Sequence, residues 1–347
     1  MIRLGLIGLG YWGPNYARIV TELPDCKLVK LCDLSEEALA SIAPRIPQAS
    51  TTLDPDDVID DPGVDAVIVA TPTTTHHALA LRALEGGKHV LCEKPLAPTV
   101  AECDDLIAAA ERSKCLLFVG HTFLFNPAVR RMQQLIADGT VGPLLYAHAT
   151  RTGLGPIRQD VNVLWDLAPH DVSILMSLFA EEAVAVGARG RAVLREDVED
   201  IVFAHIVFES GAIAGLHVSW LDPYKVRRVT VVGEEHMVVF DDVAVDEKLK
   251  VFDKGASYEA VSQSARGTEF GEYRALIRDG DIHIPKVPPD EPLKEPVADF
   301  IRCCSTGDLP ATDGRAGREV VSVLEAATKS LRTGGTPVTL RHNATTQ

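Results

Sequence analysis

Long apolar runs and basic runs are both missing from this chain of 347 residues. No run reaches the roughly 18–20 apolar residues of a membrane-spanning helix. The formal net charge is −15, and no cluster of lysine and arginine offsets it. Uniformly acidic proteins bind nucleic acids and anionic membranes poorly. We therefore expect neither as a partner, although a local basic pocket for a small anionic substrate remains compatible with this charge.

The chain also lacks the cysteine and histidine spacing of a metal site, so we expect no metal. The cysteines are odd in number, at positions 26, 32, 92, 103, 115, 303 and 304. Four of them lie in apolar runs, where a free thiol acts as a small hydrophobe: Cys26, Cys32, Cys92 and Cys115. The apolar start, MIRLGLIGLGYWG, reads as a strand entering a turn and not as a signal peptide. Reduced thiols and a cytoplasmic location are the expectation.

The length favours two domains. In the first, short apolar runs alternate with segments of helical spacing, which is typical of a parallel sheet covered by helices on both faces. We assign residues 1–121 to this domain and 122–347 to the second. The apolar runs are IRLGLIG, KLVKLCD, DAVIVAT, HVLCEK and CLLFVGH.

The first turn, GLGYWG, has glycines at positions 8, 10 and 13, follows a predicted strand and opens a helix. Asp33 ends the second strand. This context favours a dinucleotide site over a turn that binds no nucleotide. Gly8, Gly10 and Gly13 let the backbone approach a pyrophosphate at the helix N-terminus. Asp33 would accept hydrogen bonds from a ribose hydroxyl and repel a 2′-phosphate, and the next three residues supply no arginine. We predict NAD, with NADP less favoured.

Two further strands end in polar segments, at the edge where parallel sheets bind ligands. HVLCEK ends at Lys94, which is followed by Pro95. Lys94 is either a group that faces the cofactor or a surface lysine. ATPTTTHH ends the preceding strand in the same way, so that Thr71 and Pro72 could shape the nicotinamide pocket and His76 opens the next helix.

GLGYWGPN, ATPTTTH and EKPLAPT, in this order and spacing, resemble the glucose–fructose oxidoreductase / inositol dehydrogenase (Gfo/Idh/MocA) family. The resemblance implies an N-terminal Rossmann domain and a C-terminal α+β domain with a large open antiparallel sheet. It also implies redox chemistry on sugars, inositols or nucleotide sugars with NAD(P). The motif residues then expected to contact the cofactor are Gly8, Gly10, Tyr11, Trp12, Gly13, Asp33, Thr71, Pro72, His76, Glu93 and Lys94.

NVLWDLAPHD matches the second half of another family signature, with Asp166 and His170. Val161 and Asn162 stand where the family has two glycines, which suggests a different substrate contact, through Asn162. We expect the helix to begin near Asp166, with Pro169 in its first turn, where a proline costs little. Without the resemblance, Asp166 could be only a helix cap and His170 a surface group.

Longer alternating strands after residue 121, with turns at ESGA and GEEH, predict an antiparallel sheet. One face of such a sheet is free for a partner, so we expect a homodimer or homotetramer. Residues 254–290 show little periodicity and are predicted to be a loop region. EPLKEPVADFIRCC and GREVVSVLEAATKSLRTGG are predicted amphipathic helices.

Three polar residues outside these motifs are candidate substrate contacts. Asn126 follows aromatic residues that could equally be core. Arg151 and Arg158 lie just before the NVLWDLAPHD segment, where a guanidinium could pair with a diphosphate. They could equally be solvated loop arginines.

The implied reaction is hydride transfer between a secondary alcohol of a sugar and nicotinamide. His170 is the expected general base, supported by Asp166, and Lys94 stabilises the alkoxide or relays its proton. The segment resembles the branch that oxidises UDP-N-acetylglucosamine-type sugars at C3, so Lys94, Asn126, Arg151, Arg158, Asn162, Asp166 and His170 are the substrate candidates. Alternatives are a free-sugar or inositol dehydrogenase, a ketosugar reductase, an NAD-dependent redox glycosidase and a non-enzymatic dinucleotide-binding regulator.

Overall fold

The structure is a computed structural model, and it describes residues 1–155, 157–158, 160–256, 277–289 and 291–340. The chain divides into two compact units. The first comprises Met1–Phe125 and Glu291–Glu325, and the second comprises Asn126–Asp290 and Ala326–Gln347.

The first unit contains a six-stranded sheet in the order β3-β2-β1-β4-β5-β6, with all neighbours parallel. The predicted parallel Rossmann sheet is confirmed, and the five predicted apolar runs supply all strands except the short polar β3. Its strands are β1 (Ile2–Ile7), β2 (Cys26–Cys32), β3 (Ser50–Thr52), β4 (Ala66–Val69), β5 (His89–Cys92) and β6 (Leu117–Val119).

Helices follow the strands because the intervening segments combine apolar faces with good caps. Ser35 accepts a hydrogen bond from the backbone N–H of Ala38, and Thr99 accepts one from Glu102, whose carboxylate accepts the Thr99 hydroxyl. The helices of this part of the chain are α1 (Gly13–Glu22), α2 (Glu36–Ile42), α3 (Asp56–Ile59), α4 (Thr73–Glu85) and α5 (Val100–Ser113), with 3₁₀ turns at Ala43–Arg45 and Thr122–Phe125.

Residues 291–325 return to the first unit, which the predicted single boundary at 121/122 does not anticipate. Helix α8 (Lys294–Thr306) buries Val297 and Phe300 in the same core cluster as β1 and α1. The Phe300 ring lies 5.7 Å from that of Phe118, centroid to centroid. The apolar face of a helix indicates that this face is buried. The sequence pattern does not indicate which sheet the helix packs against.

The second unit contains, within the described residues, a nine-stranded sheet in the order β14-β13-β12-β11-β7-β10-β9-β8-β15. The strands are β7 (Leu144–Thr152), β8 (Ala183–Arg191), β9 (Ile201–Phe208), β10 (Ile213–Ser219), β11 (Val226–Gly233), β12 (Met237–Asp241), β13 (Leu249–Ala256), β14 (Ile277–His283) and β15 (Val338–Thr339). The helices are α6 (Pro127–Ala137), α7 (Val163–Phe179) and the end of α9 (Gly314–Arg332), which begins in the first unit.

The antiparallel prediction for this sheet needs one correction, since β7 and β10 are parallel neighbours. Strand β7 was not among the predicted strands, and it lies at the centre of the sheet. The predicted loop region at 254–290 is also corrected, because β13 extends to residue 256 and β14 pairs with it. Residues 257–276 and 290 lie outside the described residues.

Helix α7 covers one face of the second sheet, where the rings of Phe179 and Phe208 stack with centroids 4.1 Å apart. The alternate residues of the strands point away from α7. Among these are Tyr146, Phe203 and Ile213, each about half exposed, and the Phe203 ring stacks on His217 at 4.2 Å. This second face carries large apolar side chains at its surface. No described helix combines the length and apolar character needed to cross a membrane.

Phe300→Ala should destabilise the first unit, because it leaves a cavity in a core that α8 shares with the sheet. We expect a loss of about 3–5 kcal/mol in the free energy of unfolding, measured by urea titration with circular dichroism. Leu309→Ala, at a residue that is 80% exposed, is the control and should change stability by less than about 0.5 kcal/mol. Equal effects of the two variants would contradict this placement of α8.

Candidate functional site at two helix entrances

The turn between β1 and α1 has the backbone that a dinucleotide requires. Gly8 has φ +96°, and a Cβ at this position would lie 2.6 Å from the carbonyl oxygen of Ala70. A Cβ on Gly13 would lie 2.3 Å from the carbonyl oxygen of Gly8. A Cβ on Gly10 meets no atom within 4 Å. Gly8 and Gly13 are therefore required by the fold, whereas Gly10 faces space that a pyrophosphate could approach.

Asp33 lies beside this turn at the end of β2. Its carboxylate accepts hydrogen bonds from the backbone N–H of Leu9 at 2.6 Å and of Ser35 at 2.8 Å. Each oxygen keeps a further acceptor site for a ribose hydroxyl. Leu34 is exposed and uncharged, so the residue next to Asp33 offers no cation to a 2′-phosphate. The turn and the carboxylate together fit NAD.

The predicted contacts Tyr11 and Trp12 lie in the turn itself. Tyr11 is 85% exposed, and its ring lies edge-on to that of Trp12 with centroids 5.3 Å apart. Thr71 and Pro72 lie between β4 and α4, and the Thr71 methyl group is 2.9 Å from the Cβ that a side chain at Gly8 would have. The structure thus brings the β1 and β4 turns together, as the strand order requires.

His76 is buried, and both ring nitrogens lie 2.9 Å from backbone carbonyl oxygens, Nδ1 from Pro95 and Nε2 from Thr71. Burial lowers the pKa of His76. A neutral ring can donate to only one of these oxygens. His76 therefore connects the turn after β4 to the turn after β5, and this placement does not support the predicted direct contact with the cofactor.

Glu93 and Lys94 follow β5, and the peptide bond from Lys94 to Pro95 is cis. The buried Glu93 carboxylate accepts the Tyr16 hydroxyl at 2.7 Å and the Lys94 backbone N–H at 3.1 Å. Burial raises the pKa of Glu93, and the Lys94 charge opposes this shift. Tyr16, on α1, was not among the predicted site residues, since nothing in its spacing distinguishes it from a core aromatic.

In the second unit, α7 begins earlier than predicted. Asn162 is its N-cap, accepting the Trp165 N–H at 3.2 Å and donating to Glu199 at 2.7 Å. Pro169 therefore lies beyond the first turn, where it removes a backbone donor inside the helix. The predicted role of Asn162 as a substrate contact gives way to that of a cap, because both ends of its amide are engaged within the unit.

Asp166 and His170 lie one helical turn apart on α7 and share a face. The Asp166 carboxylate accepts the indole N–H of Trp220 at 3.0 Å, and Arg158 Nη1 lies 3.7 Å from its other oxygen. Trp220 follows β10 and was not among the predicted site residues. The indole fixes the orientation of Asp166, so this carboxylate is more than a helix cap.

Arg151 is only 5% exposed, and it forms a bidentate ion pair with Asp171 through Nε and Nη2, each at 2.8 Å. This placement argues against its predicted contact with a diphosphate. The Asp171 partner lies on α7, beside His170. The buried pair thus ties β7 to the helix that carries Asp166 and His170.

Arg158 and Asn126 complete the predicted substrate contacts. The Arg158 side chain is 37% exposed, and it donates to Asp160 through Nε at 2.9 Å and Nη2 at 2.5 Å. Asn126 is buried and caps α6, accepting the Ala128 N–H at 2.9 Å. Arg158 is thus paired but, unlike Arg151, partly exposed, whereas the Asn126 side chain stabilises a helix start. Among the described residues, no group of three or more His, Cys, Asp or Glu side chains could hold a metal ion.

Family models match both parts of the chain. The model for the oxidoreductase family with an NAD-binding Rossmann fold, Gfo/Idh/MocA, matches residues 2–121. The model of the GFO/IDH/MocA C-terminal domain matches residues 129–239.

Similar proteins include dehydrogenases of two substrate classes. A myo-inositol 2-dehydrogenase from Thermotoga maritima is 28% identical over 95% of this chain and 96% of that protein. A UDP-N-acetylglucosamine 3-dehydrogenase from Acidithiobacillus ferrooxidans is 27% identical over 92% of this chain and 94% of that protein. A solved structure of the latter has a TM-score of 0.81 at 26% identity, covering 96% of this chain and 98% of the other.

Gly10→Ala and Gly8→Ala should separate cofactor binding from folding. A methyl group at Gly10 meets no protein atom, so the variant should keep its melting temperature but bind NAD at least about tenfold more weakly. Gly8→Ala strains a left-handed residue against Ala70 and should lower the melting temperature itself. Isothermal titration with NAD and thermal denaturation provide the two readouts. Undiminished NAD affinity in Gly10→Ala would contradict the assignment of this turn.

Proposed function

This chain belongs to the Gfo/Idh/MocA oxidoreductase family, and on that premise we propose which of its side chains handle the proton and which alcohol it oxidises. It is an NAD-dependent oxidoreductase that acts on CH–OH groups of sugars or polyols.

The observation that carries the catalytic proposal is the pairing of Asp166 and His170 on one face of α7. His170 accepts the hydroxyl proton as general base, which suits an imidazole because its unperturbed pKa is about 6.5. Asp166, held by Trp220, stabilises the imidazolium that forms. Lys94 stabilises the negative charge that develops on the substrate oxygen. NAD, held by the glycine turn and Asp33, would supply the hydride acceptor, and reduction would use the same side chains in reverse.

For the substrate we propose a nucleotide sugar of the UDP-N-acetylglucosamine type, oxidised at C3. The relative from Acidithiobacillus ferrooxidans supports this class. Arg158 supports it too, because its guanidinium precedes α7, is partly exposed and lies next to Asp166. A guanidinium pairs well with phosphate oxygens. Arg151 is not proposed as a substrate contact, because its guanidinium is buried in the ion pair with Asp171.

Oxidation of inositol is the second candidate. The Thermotoga maritima relative, which spans nearly the whole chain, favours it. The two candidates differ in charge, since inositol carries no phosphate and has no use for Arg158.

NADH formation with a panel of alcohols tests the reaction and the substrate together. The panel contains NAD with UDP-N-acetylglucosamine, UDP-glucose, myo-inositol, scyllo-inositol and free hexoses. We expect a rise in NADH absorbance with the UDP-sugar, drawn forward by an aminotransferase that consumes the ketone. Arg158→Met should then raise the KM for the UDP-sugar about tenfold and leave its melting temperature unchanged. Turnover of inositol alone would replace this substrate proposal with the second candidate.

His170→Ala and Lys94→Ala should each lower kcat by about 10²–10⁴-fold while the protein still binds NAD. The matched controls are His283→Ala on β14 and Lys27→Ala on β2, both exposed, and they should retain full turnover. Full activity in either active-site variant would remove that residue from the mechanism.

We also propose that the exposed face of the second sheet is the contact between copies of this chain. Tyr146 is level with Ile213 on the neighbouring strand, and Phe203 stacks on His217, four residues further along β10. Large exposed apolar side chains gathered on one face of a sheet are typical of subunit contacts. A twofold contact, giving a dimer or pairs within a tetramer, needs only this one self-complementary patch.

Phe203→Asp should yield a smaller assembly, seen as a lower molar mass in size-exclusion chromatography with light scattering. The substitution places a carboxylate at the centre of a buried apolar contact, where its desolvation is unfavourable. Val245→Asp changes an 85% exposed residue in the same unit and should leave the mass unaltered. A wild-type chain that is monomeric at micromolar concentration would refute the contact.

A further inference from the structure

His121 lies at the ligand-binding edge of the first sheet, at a position that neither motif nor spacing identified. It follows β6 directly, and β6 pairs in parallel with β5, whose last residue, Cys92, is level with Val119. The Gly120 N–H donates to the Cys92 carbonyl at 2.8 Å, which holds the two strand ends together. His121 therefore reaches the same edge of the sheet as Lys94, where ligands of parallel sheets bind.

The imidazole of His121 is 1% exposed, and within the described chain neither Nδ1 nor Nε2 has a hydrogen-bond partner. Buried polar groups are nearly always paired, and exceptions call for an explanation. The Tyr16 hydroxyl does not serve His121, because it donates to the Glu93 carboxylate. The orphaned ring thus offers one donor and one acceptor at the sheet edge.

The charge state of His121 limits what it can do. Burial, and after it the Lys94 charge, lowers the pKa of His121 to about 3. The ring is therefore neutral at any physiological pH and is too weak a base to take a hydroxyl proton. It suits a neutral partner that can both donate and accept a hydrogen bond.

The strand order indicates which part of the cofactor lies here. A dinucleotide straddles the point where the strand order reverses, here between β1 and β4, with one mononucleotide over each half of the sheet. The glycine turn and Asp33 define the half that takes the adenosine. Strands β4, β5 and β6 form the other half, which takes the nicotinamide. A carboxamide has the oxygen acceptor and the N–H donors that match a neutral imidazole.

We propose that His121 binds the carboxamide of the nicotinamide ring, fixing the rotation of the ring beside Lys94. This inference rests on NAD as the cofactor and not on the substrate proposed above. The role is one of binding and positioning, without proton transfer.

The test compares NAD with ADP-ribose, which lacks the nicotinamide, by isothermal titration against His121→Phe and His121→Asn. We expect His121→Phe to weaken the binding of NAD at least tenfold and the binding of ADP-ribose less than twofold. His121→Asn keeps a donor and an acceptor, so it should recover part of the lost NAD affinity. Since neither ring nitrogen has a hydrogen-bond partner in the described chain, His121→Phe should melt no lower than the wild type.

Three results would overturn the proposal. One is unchanged NAD affinity in His121→Phe, including the case where only the KM for an alcohol changes, which would assign the histidine to the substrate. Another is an equal loss for NAD and ADP-ribose, which indicates general damage to the sheet edge. The third is failure of both variants to fold, which would assign the buried ring to packing of the core instead of to the cofactor. The affinities for NAD and ADP-ribose are measured without turnover, so failure of the proposed reaction remains a separate finding.

Discussion

Parallel pairing obliges the strands of the first sheet to end at one edge, and the chemistry of this unit depends on that constraint. The glycine turn, Asp33, Thr71, Lys94 and His121 are far apart in the chain, yet each follows a strand of the same sheet. Between them, protein hydrogen bonds connect the loops: Asp33 reaches Leu9, and the ring of His76 lies between the carbonyls of two successive turns. Hydrogen bonds between side chains and backbone groups therefore hold the loops of this edge together.

The second unit holds an acid and a histidine in register on a helix, although a proline lies between them. Asn162 begins α7, Trp220 holds Asp166, and the buried Arg151–Asp171 pair anchors the middle of the helix to β7. Breaking a buried pair leaves an uncompensated charge and is costly. The arginine that sequence reasoning assigned to a substrate is thus part of the support for the residues we propose to be reactive.

The strands and helices of the first unit could be predicted because short apolar runs and helical spacing report local structure. The glycine turn and Asp33 could be predicted because their geometry needs those residue types at that spacing. Arg151 and Asn162 could not be placed, since guanidinium and amide groups serve ligands, ion pairs and caps equally, and the partners Asp171 and Glu199 are distant in the chain. The central strand β7 and its parallel pairing with β10 were missed because register between distant strands leaves no local pattern.

The return of residues 291–325 to the first unit also bears on how the protein is made. The core that supports the NAD-binding turn includes Val297 and Phe300, which leave the ribosome after almost all of the second unit. A nascent chain that has emerged only as far as residue 121 therefore has its parallel sheet without the helix that closes part of its apolar surface. The first unit is the first to be synthesised, but it is completed only after residues 291–325 have followed most of the second unit, and until α8 arrives its exposed core is a surface for chaperones or for aggregation.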